Sequence, residues 1–257
     1  MADLIRVRIK RCDGPGLPSR YEEFDVADAP GMNVISCLMA IRKHPVTLEG
    51  KRTSPPAWEA SCLEEVCGSC TMVVNGKVRQ GCSALVKNLE KPITIEPMTK
   101  FPLVRDLVVD RQFMFESLKR VKAWIPIDGT YNLGPGPRVS AEIQEQRYQL
   151  STCMTCGCCL EVCPQVNDHS NFIGAAAISQ ARLFNMHPTG QLNADERTHG
   201  VMGAGGVGEC GKAQNCVKAC PKGIPLTSSL AEMGRESLKQ GLKDLLFHDH
   251  GTGSKTD

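Results

Sequence analysis

Two cysteine runs in the C-terminal half of the chain have the residue type and spacing to hold iron. The first is Cys153-Met-Thr-Cys156-Gly-Cys158-Cys159-Leu-Glu-Val-Cys163-Pro164, and the second is Cys210-Gly-Lys-Ala213-Gln-Asn-Cys216-Val-Lys-Ala-Cys220-Pro221. Cys153, Cys156, Cys159 and Cys163 follow C-x2-C-x2-C-x3-C-P, in which three thiolates hold one iron-sulfur cubane and the fourth ligates a second cluster. That reciprocity groups Cys220 with Cys153, Cys156 and Cys159, and Cys163 with Cys210 and Cys216. The second run keeps the same frame but has Ala213 where the second cysteine would stand. A methyl group cannot bind iron, so three thiolates remain and a [3Fe-4S] centre is the natural species. Pro164 and Pro221 lack an N–H and fix φ, turning the chain just after each crossing ligand.

A third constellation lies in the first half: Cys62-Leu-Glu-Glu-Val-Cys67-Gly-Ser-Cys70, followed by Cys82. The set C-x4-C-x2-C…C has the plant-type [2Fe-2S] spacing. Asn75-Gly76 between apolar runs signals a tight hairpin, so Cys70 and Cys82 sit at its two open ends. Gly68 provides the positive φ and exposed amides that a loop wrapping a cluster needs. A four-thiolate zinc site is the competing reading, but the x4 gap and the glycine-bearing loop suit a two-iron cluster better.

The elements that must position these residues can be read in outline. Ile5, Val7 and Ile9 alternate with basic residues over 4–10, the period of a half-buried strand, and a second strand fits Tyr21 to Val26 beyond a Gly/Pro turn. Asn33 caps a helix bearing Val34, Ile35, Leu38 and Ile41, which Pro45 closes. Ile93 to Ile95 forms a further strand, and Pro97 to Pro102 is the expected junction between domains 1–104 and 105–257. Arg105 to Trp124 reads as a helix with Phe115, Leu118 and Val121 on one face. Further helices are expected over 140–150, 174–185 and 225–247, with an unplaced loop at 126–138 and a loose tail after His248.

Composition narrows the function. The chain has 257 residues, enough for two domains, and a formal charge of +2, which gives no basic footprint for nucleic acid. Fourteen cysteines in x2 and x4 groups, with no amino-terminal signal segment read, point to metal ligation in a reducing compartment. No run approaches the roughly 18 apolar residues of a membrane span. Cys12 and Cys37 read as small buried apolar residues, and Cys158 as a non-ligating neighbour of Cys159. Gly203 to Gly208 matches G-x-G-x-x-G without the strand and helix that dinucleotide binding requires, so a flexible loop feeding Cys210 is expected. His44, His169, His187 and His199 are scattered, and His248 and His250 flank Asp249 in the tail. No acid, base or nucleophile set for bond breaking is evident, so no catalytic residue is expected.

The order of the three cysteine sets, together with Arg105-Asp106-Leu-Val-Val-Asp110, Lys122-Ala-Trp124-Ile-Pro126 and Cys220-Pro221-Lys222-Gly223-Ile224-Pro225, resembles the iron-sulfur subunit of succinate dehydrogenase and fumarate reductase along essentially the whole chain. The likeness is strongest to menaquinone-using bacterial succinate dehydrogenases. It implies an α+β chain: an N-terminal plant-type ferredoxin (β-grasp) domain, then a mainly helical two-cluster domain. Electrons would pass from FAD on a flavoprotein subunit through [2Fe-2S], [4Fe-4S] and [3Fe-4S] clusters to a quinone beside a membrane-anchor cytochrome b carrying haem b. The implied location is peripheral, on the cytoplasmic face of the bacterial cell membrane. Fumarate reductase running in the opposite direction is the alternative. Cluster potentials range from about −700 to +450 mV, so three cluster types allow a graded relay. Many ubiquinone-reducing relatives carry tryptophan after the first C-P; here Pro164-Gln165-Val166-Asn167-Asp168 stands instead, which favours a menaquinone site on the cytochrome. Pro164, Gln165, Gly211, Lys212 and Ala213 are candidates to face the anchor or quinone. Stapling of a structural protein by its clusters and a free-standing ferredoxin are the readings from other classes.

Overall fold

The computed structural model describes residues 3–126 and 138–247. The expected 126–138 loop, apart from its two end residues, and the tail bearing His248, Asp249 and His250 lie outside them.

The first half is built on a five-stranded mixed sheet of order β2-β1-β5-β3-β4. Strands β1 (Leu4–Arg11) and β2 (Arg20–Ala27) pair antiparallel, with Val7 opposite Phe24 and Ile5 opposite Val26. The alternation turns Ile5, Val7 and Ile9 wholly inward, where they meet Val34, Ile35, Leu38 and Ile41 of α1 (Val34–Lys43). Each such side chain contributes about 1.5–3 kcal/mol by leaving water. Asn33 caps α1 through a capping box with Ser36. β3 (Thr71–Val74) and β4 (Lys77–Gln80) form the expected hairpin, and β5 (Ile93–Glu96) lies parallel to β1. Asn75 and Gly76 both take positive φ (48° and 73°), the geometry of a two-residue type I′ turn.

The segment read as one helix from Arg105 to Trp124 is instead a ribbon followed by a shorter helix. β6 (Leu103–Arg105) pairs with β7 (Val108–Val109), and α2 spans Gln112–Arg120. A long-range polar network turns the chain. Asp106 is fully buried with φ 48°, and its carboxylate accepts from the Cys12 amide (3.1 Å), the Ala57 amide (2.9 Å) and Arg11 Nε (2.9 Å). Arg11, equally buried, also donates to Glu22 and to the Ser54 carbonyl. Removing one partner of such a buried pair costs about 3–5 kcal/mol, enough to override local helix preference. The buried face of α2 is correspondingly Met114 and Ser117, leading to Val121, while Phe115 is 53% exposed.

The second half is helical: α3 (Ala141–Ser151), α4 (Cys158–Glu161), α5 (Gly174–Asn185), α6 (Ala194–Val201), α7 (Asn215–Ala219) and α8 (Leu226–Phe247). α5 sits at the centre and buries Ala175, Ala177, Ile178 and Ala181, small enough to let its neighbours approach closely. The glycine-rich loop after α6 is packed rather than loose. A Cβ on Gly205 would lie 2.1 Å from the Asn171 carbonyl oxygen, and Arg120 donates to the carbonyls of Gly200, Met202 and Ala204. Two hydrophobic cores result, one within the sheet and α1, the other among the helices. The connecting segment is fastened to the helical half, where the Glu161 carboxylate accepts from the amides of Thr99 (2.8 Å) and Lys100 (3.0 Å). The described fold is α+β. No helix among the described residues is long and apolar enough to cross a membrane.

Candidate metal centres

In the first half, the chain from Cys62 to Cys70 curls around the sulfur atoms. Leu63, Glu65 and Gly68 adopt positive φ (61°, 55° and 71°), which points successive amides inward. The Cys62 sulfur receives N–H groups from Glu64 (3.4 Å), Val66 (3.3 Å) and Cys67 (3.3 Å). The Cys62 amide, with the hydroxyl and amide of Ser69, pulls the Cys67 thiol down to about 6. Burial pushes Cys70 up to about 11, at the closed side of the site beside Cys82. The hairpin brings these two together: the Gly81 amide donates to the Cys70 carbonyl at 2.9 Å. Ser83 donates to Glu65 at 2.7 Å and ties the loop to the hairpin end.

Sequence reading missed three residues that hold this loop. Arg111, entering α2, donates to the carbonyls of Gly68 (2.8 Å) and Ser69 (2.6 Å). Thr71 donates to the Gly68 carbonyl at 2.7 Å and receives Gln80 Nε2 at 3.1 Å. Gln80 Nε2 also lies 3.4 Å from the Cys158 sulfur, linking the hairpin to the second half. Nothing in the local sequence of Gln80 announces that it is fully buried at a contact between halves.

Gly68 itself touches the next site. A Cβ there would stand 2.8 Å from both Cα and Cβ of Cys156, and 2.9 Å from the Met154 carbonyl oxygen. Glycine is therefore required by close approach as well as by φ.

The two C-terminal runs contribute to two separate cavities in a crossed manner. Cys153, Cys156 and Cys159 share a cavity with Cys220, whereas Cys163 shares one with Cys210 and Cys216. The loops have matching backbones. Thr155 and Gly157 take positive φ (49° and 89°), as do Lys212 and Gln214 (56° and 60°) at the same offsets from the first cysteine. α4 then leads to Cys163, and α7 leads to Cys220. Ala213 thus stands in the frame position of Cys156.

The donor set fits iron-sulfur chemistry. Neither cavity is lined by a histidine or carboxylate among the described residues, leaving soft sulfur donors. Burial raises the Cys153 and Cys216 thiols and puts Cys159 well above its ordinary value, so a nearby positive charge is needed to keep them as thiolates. The Cys158 thiol, hydrogen-bonded to Cys156, pulls that group down to about 7 and is itself raised. Among the described residues no three Cys, His, Asp or Glu groups converge on a single-ion site. Convergence on one point is not required of cluster ligands: in a cubane each thiolate would bind a different iron, and in a two-iron cluster only two would share one.

Pro164, Gln165, Gly211, Lys212 and Ala213 all line the second cavity, and Gly211, Lys212 and Ala213 are exposed. Cys12 and Cys37 are buried, Cys37 in the same core as Cys70 and Cys82. His199 pairs with Asp244, and His187 Nδ1 accepts amides of its own turn. His44 caps the end of α1, and His169 is exposed.

Residues 6–116 match the family model described as a 2Fe-2S iron-sulfur cluster binding domain, and residues 149–224 match a 4Fe-4S dicluster domain. The succinate dehydrogenase iron-sulfur subunit of Bacillus subtilis is 54% identical, over 95% of this chain and 97% of its own. The fumarate reductase iron-sulfur subunit of Wolinella succinogenes is 28% identical over 92% and 98%. A chain of the structure titled Mycobacterium smegmatis Sdh1 complex in the apo form superposes with a TM-score of 0.72 at 24% identity, covering 98% of this chain and all of that one; it speaks for the fold alone. With paired cysteine loops, two matched cluster-binding domains and this near full-length identity, the chain belongs to the family of iron-sulfur subunits of succinate dehydrogenase and fumarate reductase.

Proposed function

We propose that this chain is the electron-transfer subunit of a succinate dehydrogenase, passing electrons from a flavoprotein carrying FAD toward a membrane quinone. The observation that carries the reading is the crossed sharing of the C-terminal cysteines between two cavities. Cys62, Cys67, Cys70 and Cys82 would hold [2Fe-2S]; Cys153, Cys156, Cys159 and Cys220 [4Fe-4S]; Cys163, Cys210 and Cys216 [3Fe-4S]. Such clusters, when bound, take up and release single electrons.

The chain's own residues position and insulate these sites. Amides of the Cys62–Cys70 loop stabilise negative charge on sulfur, and the Gly68–Cys156 contact leaves no gap between the first and second cysteine sets. Apolar walls such as Leu160, Ile173 and Ile224 keep water from the first cavity. The division we adopt is a plant-type ferredoxin (β-grasp) domain over 1–104 and a helical two-cluster domain over 105–257, with the β6–β7 ribbon forming the seam. Pro164, Gln165, Gly211, Lys212 and Ala213 are assigned to the side facing a cytochrome b anchor with haem b and menaquinone. On this reading the chain sits peripherally on the cytoplasmic face of the membrane.

Fumarate reduction is the second reading. The 54% identity to a succinate dehydrogenase subunit, against 28% to a fumarate reductase one of similar coverage, favours the first. The test is low-temperature EPR of the oxidised complex isolated through this chain, with iron analysis and assays in both directions. A three-iron signal, about nine iron atoms per chain and faster succinate oxidation are expected. Zinc in place of iron, or absence of a flavoprotein partner, would overturn the reading.

A further inference from the structure

Between the hairpin of the first half and α7 of the second lies an open cleft of about 570 Å³, separate from the three cysteine sites but sharing Cys220 and Pro221 as part of its wall. Lys77 and Arg79 project from β4, and Lys218 from α7, so both halves of the chain contribute cations. None of the three has an ion-pair partner among the described residues, whereas most cations on the faces of β1 and β2 are paired. Arg79 Nε is closed off from water without any hydrogen-bond partner. The one carboxylate lining the cleft, Glu65, is engaged by the Ser83 hydroxyl. Unpaired cations converging across a concave surface focus a positive potential.

We propose that this cleft receives an acidic, Asp- or Glu-bearing segment of a second polypeptide, bridging the two halves from outside. The charges stand on opposite walls with Val78, Ala84 and Val162 between them, a mixed lining that carboxylate side chains and their aliphatic stems cover together. Small-molecule sites are more enclosed and more apolar than this. A chain near neutrality, at +2, also offers no wider basic field for a nucleic acid backbone. Docking here would clamp the hairpin that carries Cys70 and Cys82 against the helix that delivers Cys220.

The experiment is amine footprinting and zero-length carbodiimide cross-linking of the intact complex isolated through this chain, compared with the chain alone. Lys77 and Lys218 are expected to be shielded from acetylation only in the complex, and to cross-link to Asp or Glu of another polypeptide. Lys51 and Lys100, exposed elsewhere, serve as references. The paired variant Lys77→Glu with Lys218→Glu is expected to weaken retention of that partner about tenfold, more at low salt than at high, with cluster EPR unchanged. Equal labelling of both lysines in complex and free chain would overturn the proposal. So would shielding that vanishes on dialysis from phosphate into chloride and yields no cross-link, since the occupant would then be a small anion. Cluster EPR keeps the two readings apart: a normal spectrum with an open cleft sinks this proposal alone, and a chain without iron sinks the relay reading.

Discussion

The two C-terminal cysteine loops share one backbone path and live in opposite surroundings. Both turn through left-handed residues at the same two offsets and both send their last cysteine to the other's cavity. The first loop is pressed against the sheet half: Cys156, Gly157 and Cys158 are buried, with Gly68, Phe101 and Gln80 upon them. At the corresponding positions of the second, Ala213, Gln214 and Asn215 are exposed. A repeated frame therefore does not produce equivalent sites. The loop with the extra thiol faces inward to the neighbouring site, and the loop lacking it faces outward.

The most drastic way to break the comparison is Cys220→Ala. It lies in the second run but should abolish the four-iron signal while the oxidised three-iron signal is kept or, with three thiolates left in the first cavity, grows, checked by EPR in both redox states. Loss of the three-iron signal instead would show that the crossing is misassigned. The frame can be sharpened with Ala213→Cys, which restores the missing thiol at the position of Cys156. Iron should rise by about one atom per chain and the oxidised three-iron signal should fade; an unchanged spectrum would reject the register.

Smaller effects test the inward face. Gly68→Ala meets Cys156 at 2.8 Å with φ 71°, so a loss of about 2–5 kcal/mol is expected in thermal or denaturant unfolding. Gly31→Ala, with φ 76° and open space, should cost only about 1 kcal/mol, and equal losses would mean that the contact between halves is unimportant. Gln80→Met should be mildest, below about 1.5 kcal/mol, because Gln80 Oε1 is already buried without a partner and the side-chain volume is kept. Gln80→Ala should exceed it by leaving a cavity, and the order of the two midpoints is the measurement.

Local pattern served well where local forces decide. The β1 alternation, the Asn33 cap, the Asn75-Gly76 turn and the helices at 141–151, 174–185 and 226–247 all stand where periodicity and turn chemistry put them. The first cavity is lined by Cys158 as well as by Cys153, Cys156, Cys159 and Cys220, a thiol that the cysteine spacing alone had set aside. Local pattern failed over 105–124, where apolar spacing suggested one helix but Asp106 is claimed by Arg11, 95 residues away. Phe115 misled for a related reason: hydrophobicity named it a core residue, while packing chose Met114 and Ser117. Arg111 and Gln80 gave no signal, because their role exists only once two distant segments meet, and Thr71 bonds within its own loop and hairpin, which its strand pattern does not announce.

The approach of Gly68 to Cys156 bears on how such a chain can change over time or by design. With backbone of one half resting directly on the cysteine loop of the other, the halves are not interchangeable cassettes. A ferredoxin module grafted in place of either would have to bring a matching bare position, and drift at one surface is tolerable only where the opposite surface drifts with it.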